Sequence, residues 1–171
     1  MLKNKKTSVI YLASDLNKTS SINISDVNYD DNNFLLYIGK RSGYKNFNRE
    51  VKCGKSRFDF KLEFSNIKAF VEVKSVSLVE GGVGKFPDAP TQRGVKHLKE
   101  LIDLRRQGYR AAVIFVSQRS DARSIISNDE IDPLFGESLR KAHLASVELY
   151  AYNCSVTKNT VSIKDQIPVN I

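Results

Sequence analysis

Apolar and polar residues alternate most clearly in the stretch Phe70-Val71-Glu72-Val73-Lys74. On a strand, Val71 and Val73 take one face, while Phe70, Glu72 and Lys74 take the other. The surrounding run Ala69–Val79 therefore reads as a strand that sets an acid and a base side by side. Upstream, Arg49–Cys53 and Arg57–Phe64 flank a Gly-Lys-Ser stretch, which predicts a hairpin with Gly54 in the turn. Downstream, Glu80–Pro90 ("EGGVGKFPDAP") is dense in Gly and Pro and is expected to be a loop. Thr91 then stands as a helix N-cap before "QRGVKHLKELIDLRRQG". There Val95, Leu98, Leu101, Ile102 and Arg105 recur at helical spacing, and Gly108 can close the helix. Ala111–Val116 is a continuous apolar run that suits a strand buried on both faces. Pro133–Leu144 reads as a second amphipathic helix and Val147–Val156 as a last strand.

The order is three strands, helix, strand, helix, strand. The first strands can pair as an antiparallel meander, and the later ones can add in parallel through right-handed crossovers. The pattern predicts an α/β fold, a mixed central sheet flanked by helices. Composition shifts near residue 44. Residues 1–44 are rich in Asn, Ser, Asp and Lys and read as a poorly defined amino-terminal segment. Within it, Ser8–Ala13 and Phe34–Ile38 are short apolar runs of strand length. Residues 45–171 are expected to form the α/β domain.

Bulk charge adds a partner class. The chain has 171 residues and a 41% apolar fraction, enough for one domain with a core. Its net charge is +8 and its sequence pI about 9.5, which favours anionic partners, nucleic acid before a membrane surface. Two isolated cysteines, Cys53 and Cys154, build neither a disulfide framework nor a zinc site. No apolar run is long enough for a signal peptide or a membrane span. A cytoplasmic protein with no evident small-molecule cofactor is the expectation.

Two phosphate-binding motifs fail on inspection. A Walker A loop ending at Gly84-Lys85 would need Gly where Val79 stands and Ser or Thr where Phe86 stands. A dinucleotide pattern starting at Gly82 would need Gly where Pro87 stands. His97 and His143 share no metal-ligand spacing, and a lone helical His is more often a packing or surface residue. The acids are more informative. Asp59 lies in "SRFDFKLEF", and Glu72 and Lys74 follow on the next strand. If Arg57–Phe64 and Ala69–Val79 pair through a turn at Ser65–Lys68, Asp59 and Glu72 approach across the sheet. Two such carboxylates repel unless a cation holds them. Mg²⁺ is the natural candidate, because it takes oxygen ligands and keeps waters for a reaction. Lys74 can then orient a water or stabilise charge on a phosphate. The competing reading is a structural ion pair of small worth.

The same residues resemble a known family, the sugar fermentation stimulation protein (SfsA) family. The likeness lies in "SRFDF", "VEVKSVSLVEGGVGKFPDAPTQRGVKHLKEL", "GYRAAVIFVSQRSD", "DEIDPLFGESLRKA" and "VELYAY". It implies a carboxy-terminal domain of the PD-(D/E)xK, restriction-endonuclease-like fold. It places the first acid of that pattern at Asp59, the second at Glu72 and the lysine at Lys74, with Asp59 and Glu72 as metal ligands. It also implies DNA binding and a link to regulation of sugar, notably maltose, catabolism. Members of that family carry an OB-like barrel ahead of this domain. Residues 1–44 do not resemble it, and the chain is expected to lack it. Glu50 is a candidate for an acid supplied in other nuclease folds by a preceding helix.

Around this centre, Arg93 can pair with a phosphate at the start of the helix, or be plain surface. His97 matches the family motif and is a candidate site-facing residue. Gln118 follows a buried strand, at the end where α/β sites tend to lie. Lys85, Arg93, Lys96 and Lys99 are candidate nucleic-acid contacts, against the reading of a solvated face. The leading expectation is a DNA-binding protein with a Mg²⁺-dependent nuclease centre. The alternatives are a non-catalytic DNA-binding regulator and a remnant that keeps only the fold.

Overall fold

The computed structural model describes residues 46–64, 67–157 and 161–171. The apolar runs Ser8–Ala13 and Phe34–Ile38 lie outside the described residues. The strands are β1 (Asn46–Cys53), β2 (Ser56–Phe64), β3 (Ile67–Val76), β4 (Leu78–Glu80), β5 (Val83–Phe86), β6 (Arg110–Ser117), β7 (Ser124–Ser127), β8 (Glu148–Val156), β9 (Val161–Ile167) and β10 (Val169–Asn170). The helices are α1 (Gln92–Arg106) and α2 (Pro133–Leu144).

The main sheet has six strands in the order β1-β2-β3-β6-β8-β9. As expected, β1, β2 and β3 form an antiparallel meander, and β6 and β8 add in parallel. Gly54 turns the first hairpin at φ +60, a conformation glycine adopts without a Cβ penalty. The apolar run of β6 sits mid-sheet with Ala111–Ser117 all buried, which explains its lack of alternation. One face of the sheet packs under α1 and α2 through Phe58, Phe70, Val113 and Phe115. The other face carries Phe60, Leu62, Val71, Ile114 and Tyr152. Among the described residues no helix is long and apolar enough to cross a membrane.

The stretch Glu80–Pro90 departs from expectation. It is not all loop: Val83–Phe86 is a strand, paired with β4 around Gly81-Gly82 at φ +58 and +87. With β7 and β10 it builds a second sheet, β10-β7-β5-β4. Packing rather than periodicity makes this strand. A Cβ on Gly84 would collide with the Ile125 side chain of β7, so glycine here permits close approach. The strand expected over Ala69–Val79 correspondingly spans Ile67–Val76, and β4 resumes after Ser77. Nor is the strand near Val147 the last, because β9 returns antiparallel beside it.

Both helix starts are capped. Thr91 Oγ1 accepts the Gly94 N–H at 3.0 Å. Asp132 caps α2 by accepting the Phe135 N–H at 2.9 Å, and its other oxygen accepts the Thr91 N–H at 2.7 Å. One carboxylate thus fixes where both helices begin, including the turn of α1 that carries Arg93 and His97.

Candidate active site

The β2–β3 ladder runs from Phe64↔Ile67 to Phe60↔Val71 and stops there. Continued, it would set Asp59 opposite Glu72. Beyond Phe60 the strand changes face: Phe60 joins the sheet's outer cluster, but Phe58 turns under α1. Strict alternation would keep them together, so the backbone is irregular at Asp59. The neighbouring strand is irregular at the same level. Glu50, which falls opposite Asp59, has φ +49 and drops out of an otherwise continuous β1–β2 register. Where the ladder fails, the Asp59 side chain replaces it. Its Oδ2 accepts the Val73 N–H at 2.7 Å.

Glu72 is only 3% exposed. Its Oε1 accepts from Lys74 Nζ at 2.7 Å and meets His97 Nδ1 at 2.6 Å. Its Oε2 is buried and has no hydrogen-bond partner. The two carboxyls consequently differ. Burial works to raise Glu72, but the His97 hydrogen bond and the Lys74 charge outweigh it and hold the group below its ordinary value. Asp59 is pushed up to about 6, by burial first and then by the charge of Glu72, against the Val73 N–H and Lys74. Environments that split two acids in this way are common at working sites.

The structure therefore brings together Asp59, Glu72, Lys74 and His97. Arg93 joins from one turn earlier on α1, its Nε 3.5 Å from His97 Nε2. Glu50 lies close enough to raise Asp59 further, while its exposed carboxylate is 3.8 Å from Arg57. Gln118 is exposed beyond the end of β6, past the Lys74↔Phe115 pair. Lys85 is held by Glu80 at 2.7 Å on the β4–β5 hairpin. Lys96 and Lys99 are exposed on α1, and Lys96 Nζ also bonds the Lys55 carbonyl in the first hairpin turn at 2.7 Å.

A divalent cation fits this centre in part. The Glu72 charge acts on the Asp59 carboxyl, and Glu72 Oε2 is buried without a partner. Among the described residues, however, no group of three or more His, Cys, Asp or Glu side chains forms a metal cage. That suits an ion of the Mg²⁺ type, which takes one or two carboxylates and completes its sphere with waters and substrate phosphates. Asp59 and Glu72 are the residues that would hold it.

Two structural residues were missed at the sequence level. Asp132 joins α1 to α2, and its signal was an Asp-Pro pair opening a helix. Phe58 is fully buried, 5.6 Å from the His97 ring and 5.8 Å from Phe70. It packs the His97 ring into the core shared with α1.

The mixed sheet, its flanking helices and the crossover order place the chain in the nuclease-like class of α/β folds. The model of the family described as "Sugar fermentation stimulation protein RE domain" matches residues 33–160. The chain belongs to the sugar fermentation stimulation protein family. It is 51% identical over 128 residues to the family homologue of Desulforamulus reducens, covering 75% of this chain and 54% of that one. It is 47% identical over 127 residues to the homologue of Caldanaerobacter subterraneus, covering 74% of this chain and 56% of the relative. Among solved structures it is similar to Pyrococcus furiosus SfsA in complex with Ca²⁺, with TM-score 0.69 and 34% identity over 72% of this chain and 54% of that one. The chain thus spans about half the length of these relatives.

Proposed function

We propose that the chain is a DNA-binding, divalent-cation-dependent phosphodiesterase acting through Asp59, Glu72 and Lys74. The observation that carries this reading is Glu72 Oε2, a buried carboxylate oxygen without a partner, near the half-buried acid Asp59. Leaving such an oxygen bare costs about 1–3 kcal/mol or more, so a cation there recovers a real loss. The Ca²⁺ named with the similar Pyrococcus furiosus SfsA structure supports reading this centre as a cation site.

A bound cation supplies charge that polarises a phosphoryl group and eases deprotonation of a water. The remaining work falls to the chain. Asp59 and Glu72 would hold the cation between them. Lys74, now bonded to Glu72 Oε1, stands where it can orient the water or steady charge on the phosphate. Arg93, Lys96 and Lys99 give α1 an exposed basic stripe that can follow a nucleic-acid backbone. The family resemblance supports DNA as the partner and regulation of sugar catabolism as the setting.

A second reading has its own support. The lack of a three-ligand cage among the described residues and the engagement of Lys74 with Glu72 also suit a regulator that binds DNA without cutting it. Incubation with single- and double-stranded DNA and RNA, with Mg²⁺ or Mn²⁺ or with chelator, separates the two. Cleavage that needs metal and is lost in Asp59→Ala and Lys74→Ala supports the enzyme. Binding without cleavage refutes the enzyme and supports the regulator.

A further inference from the structure

His97 is 3% exposed, and both of its ring nitrogens are engaged. On one side, Nδ1 is 2.6 Å from Glu72 Oε1. On the other, Arg93 Nε is 3.5 Å from Nε2. An arginine N–H can only donate. With Arg93 Nε–H as its donor, Nε2 accepts, which assigns the ring proton to Nδ1 and makes Nδ1–H the donor to Glu72. This is the less common tautomer of a free imidazole, so the surroundings select it. The Phe58 ring fixes the imidazole from its side, with centroids 5.6 Å apart.

The consequence falls on Glu72. Lys74 and His97 both hold Oε1, from the strand and from the helix, and Oε2 is left bare. We propose that Arg93 and His97 form a positioning relay that locks the Glu72 carboxylate and assigns Oε2 as its cation-facing oxygen. The inference rests on the cation reading above. His97 is then no ligand itself, since neither nitrogen is free. It acts as the hydrogen-bonded partners of metal ligands do, by fixing orientation. Arg93 acts through His97 with Nε and leaves its terminal amino groups, on an exposed side chain with no carboxylate partner among the described residues, for a phosphate. One residue thereby links substrate contact to the geometry of a metal ligand.

Two measurements on the full chain test this. The first needs no metal. There are two histidines, and exposed His143 serves as the reference for His97 in imidazole ¹⁵N–¹H correlation spectra. His97 is expected in the Nδ1–H form, shifting toward Nε2–H in Arg93→Met. An Nε2–H ring in the unaltered protein would overturn the relay. The second is Mn²⁺ affinity by calorimetry without nucleic acid. His97→Phe is expected to weaken binding about 10- to 100-fold, as loss of such outer partners does. His97→Asn, which places an amide donor near the Nδ1 position, is expected to recover most of it. Arg93→Met discriminates by sign. Mere removal of a positive charge would tighten cation binding, whereas loss of positioning weakens it. Unchanged affinity in folded His97→Phe, or tighter binding in Arg93→Met, refutes the proposal. If the unaltered chain binds no cation, the metal reading falls while the tautomer still decides the relay.

Discussion

Replacing Asp59 by Asn should stabilise the metal-free protein above pH 6 and do little for it near pH 4. The Asp59 carboxyl is pushed from its ordinary 3.8 up to about 6 in the folded chain. An acid whose folded value is raised favours folding only while it keeps its proton. Between the ordinary value and about 6 the folded state binds more protons than the unfolded one, and stability falls as pH rises. Above that window the full penalty applies. A shift of about two units corresponds to roughly 3 kcal/mol at 1.36 kcal/mol per unit. Partial solvent contact makes this an upper figure, so the expected gain is about 1–3 kcal/mol. Asn keeps a carbonyl oxygen for the Val73 N–H, so the bond at the end of the ladder survives. Ala does not keep it, and the orphaned N–H would offset about 1–3 kcal/mol of the gain. The assay is urea unfolding with chelator at pH 4 and pH 8. For a domain of this size each kcal/mol corresponds to roughly 2–4 °C in a parallel thermal melt. An Asn variant less stable than the parent at pH 8, or equally advantaged at both pH values, would refute the reasoning.

Glu50 holds a left-handed backbone at φ +49, which a side chain tolerates poorly. Glu50→Gly should raise stability by about 1 kcal/mol or leave it level in the same unfolding assay; a loss above that size would mean the Glu50 carboxylate holds the strand. Thr91→Ala should cost about 1 kcal/mol by removing the α1 cap, checked by the same unfolding curves. Lys99→Ala should weaken DNA binding evenly across sequences and lower the slope of log affinity against log salt by about one. An unchanged slope would remove Lys99 from the interface.

Legibility in the sequence tracked how local the cause of each element was. The first hairpin, both helices and the buried strand β6 have local signals: Gly54, Thr91, Pro133 and an unbroken apolar run. The second sheet does not. Val83–Phe86 is a strand because β7 lies against Gly84, a contact made far along the chain. β9 carries a period-2 signal in Val161, Ile163 and Ile167, interrupted by Asp165. The candidate site divides in the same way. Pairing Asp59 with Glu72 and Lys74 followed from strand spacing and from the family motif. The bare Oε2 did not, because it depends on His97 reaching back from α1 to Oε1. Nor could spacing reveal that the ladder ends at Phe60 and frees the Asp59 side chain to take its place.

Whether Asp59 and Glu72 bind a cation decides the proposed function most directly. Titrating the metal-free chain with Mn²⁺ while following the free-ion signal by electron paramagnetic resonance measures this without substrate. A saturable site is expected in the unaltered protein, lost in Glu72→Gln and weakened in Asp59→Asn, with Mg²⁺ competing. Equal Mn²⁺ uptake by all three folded proteins, or none by any, would contradict it.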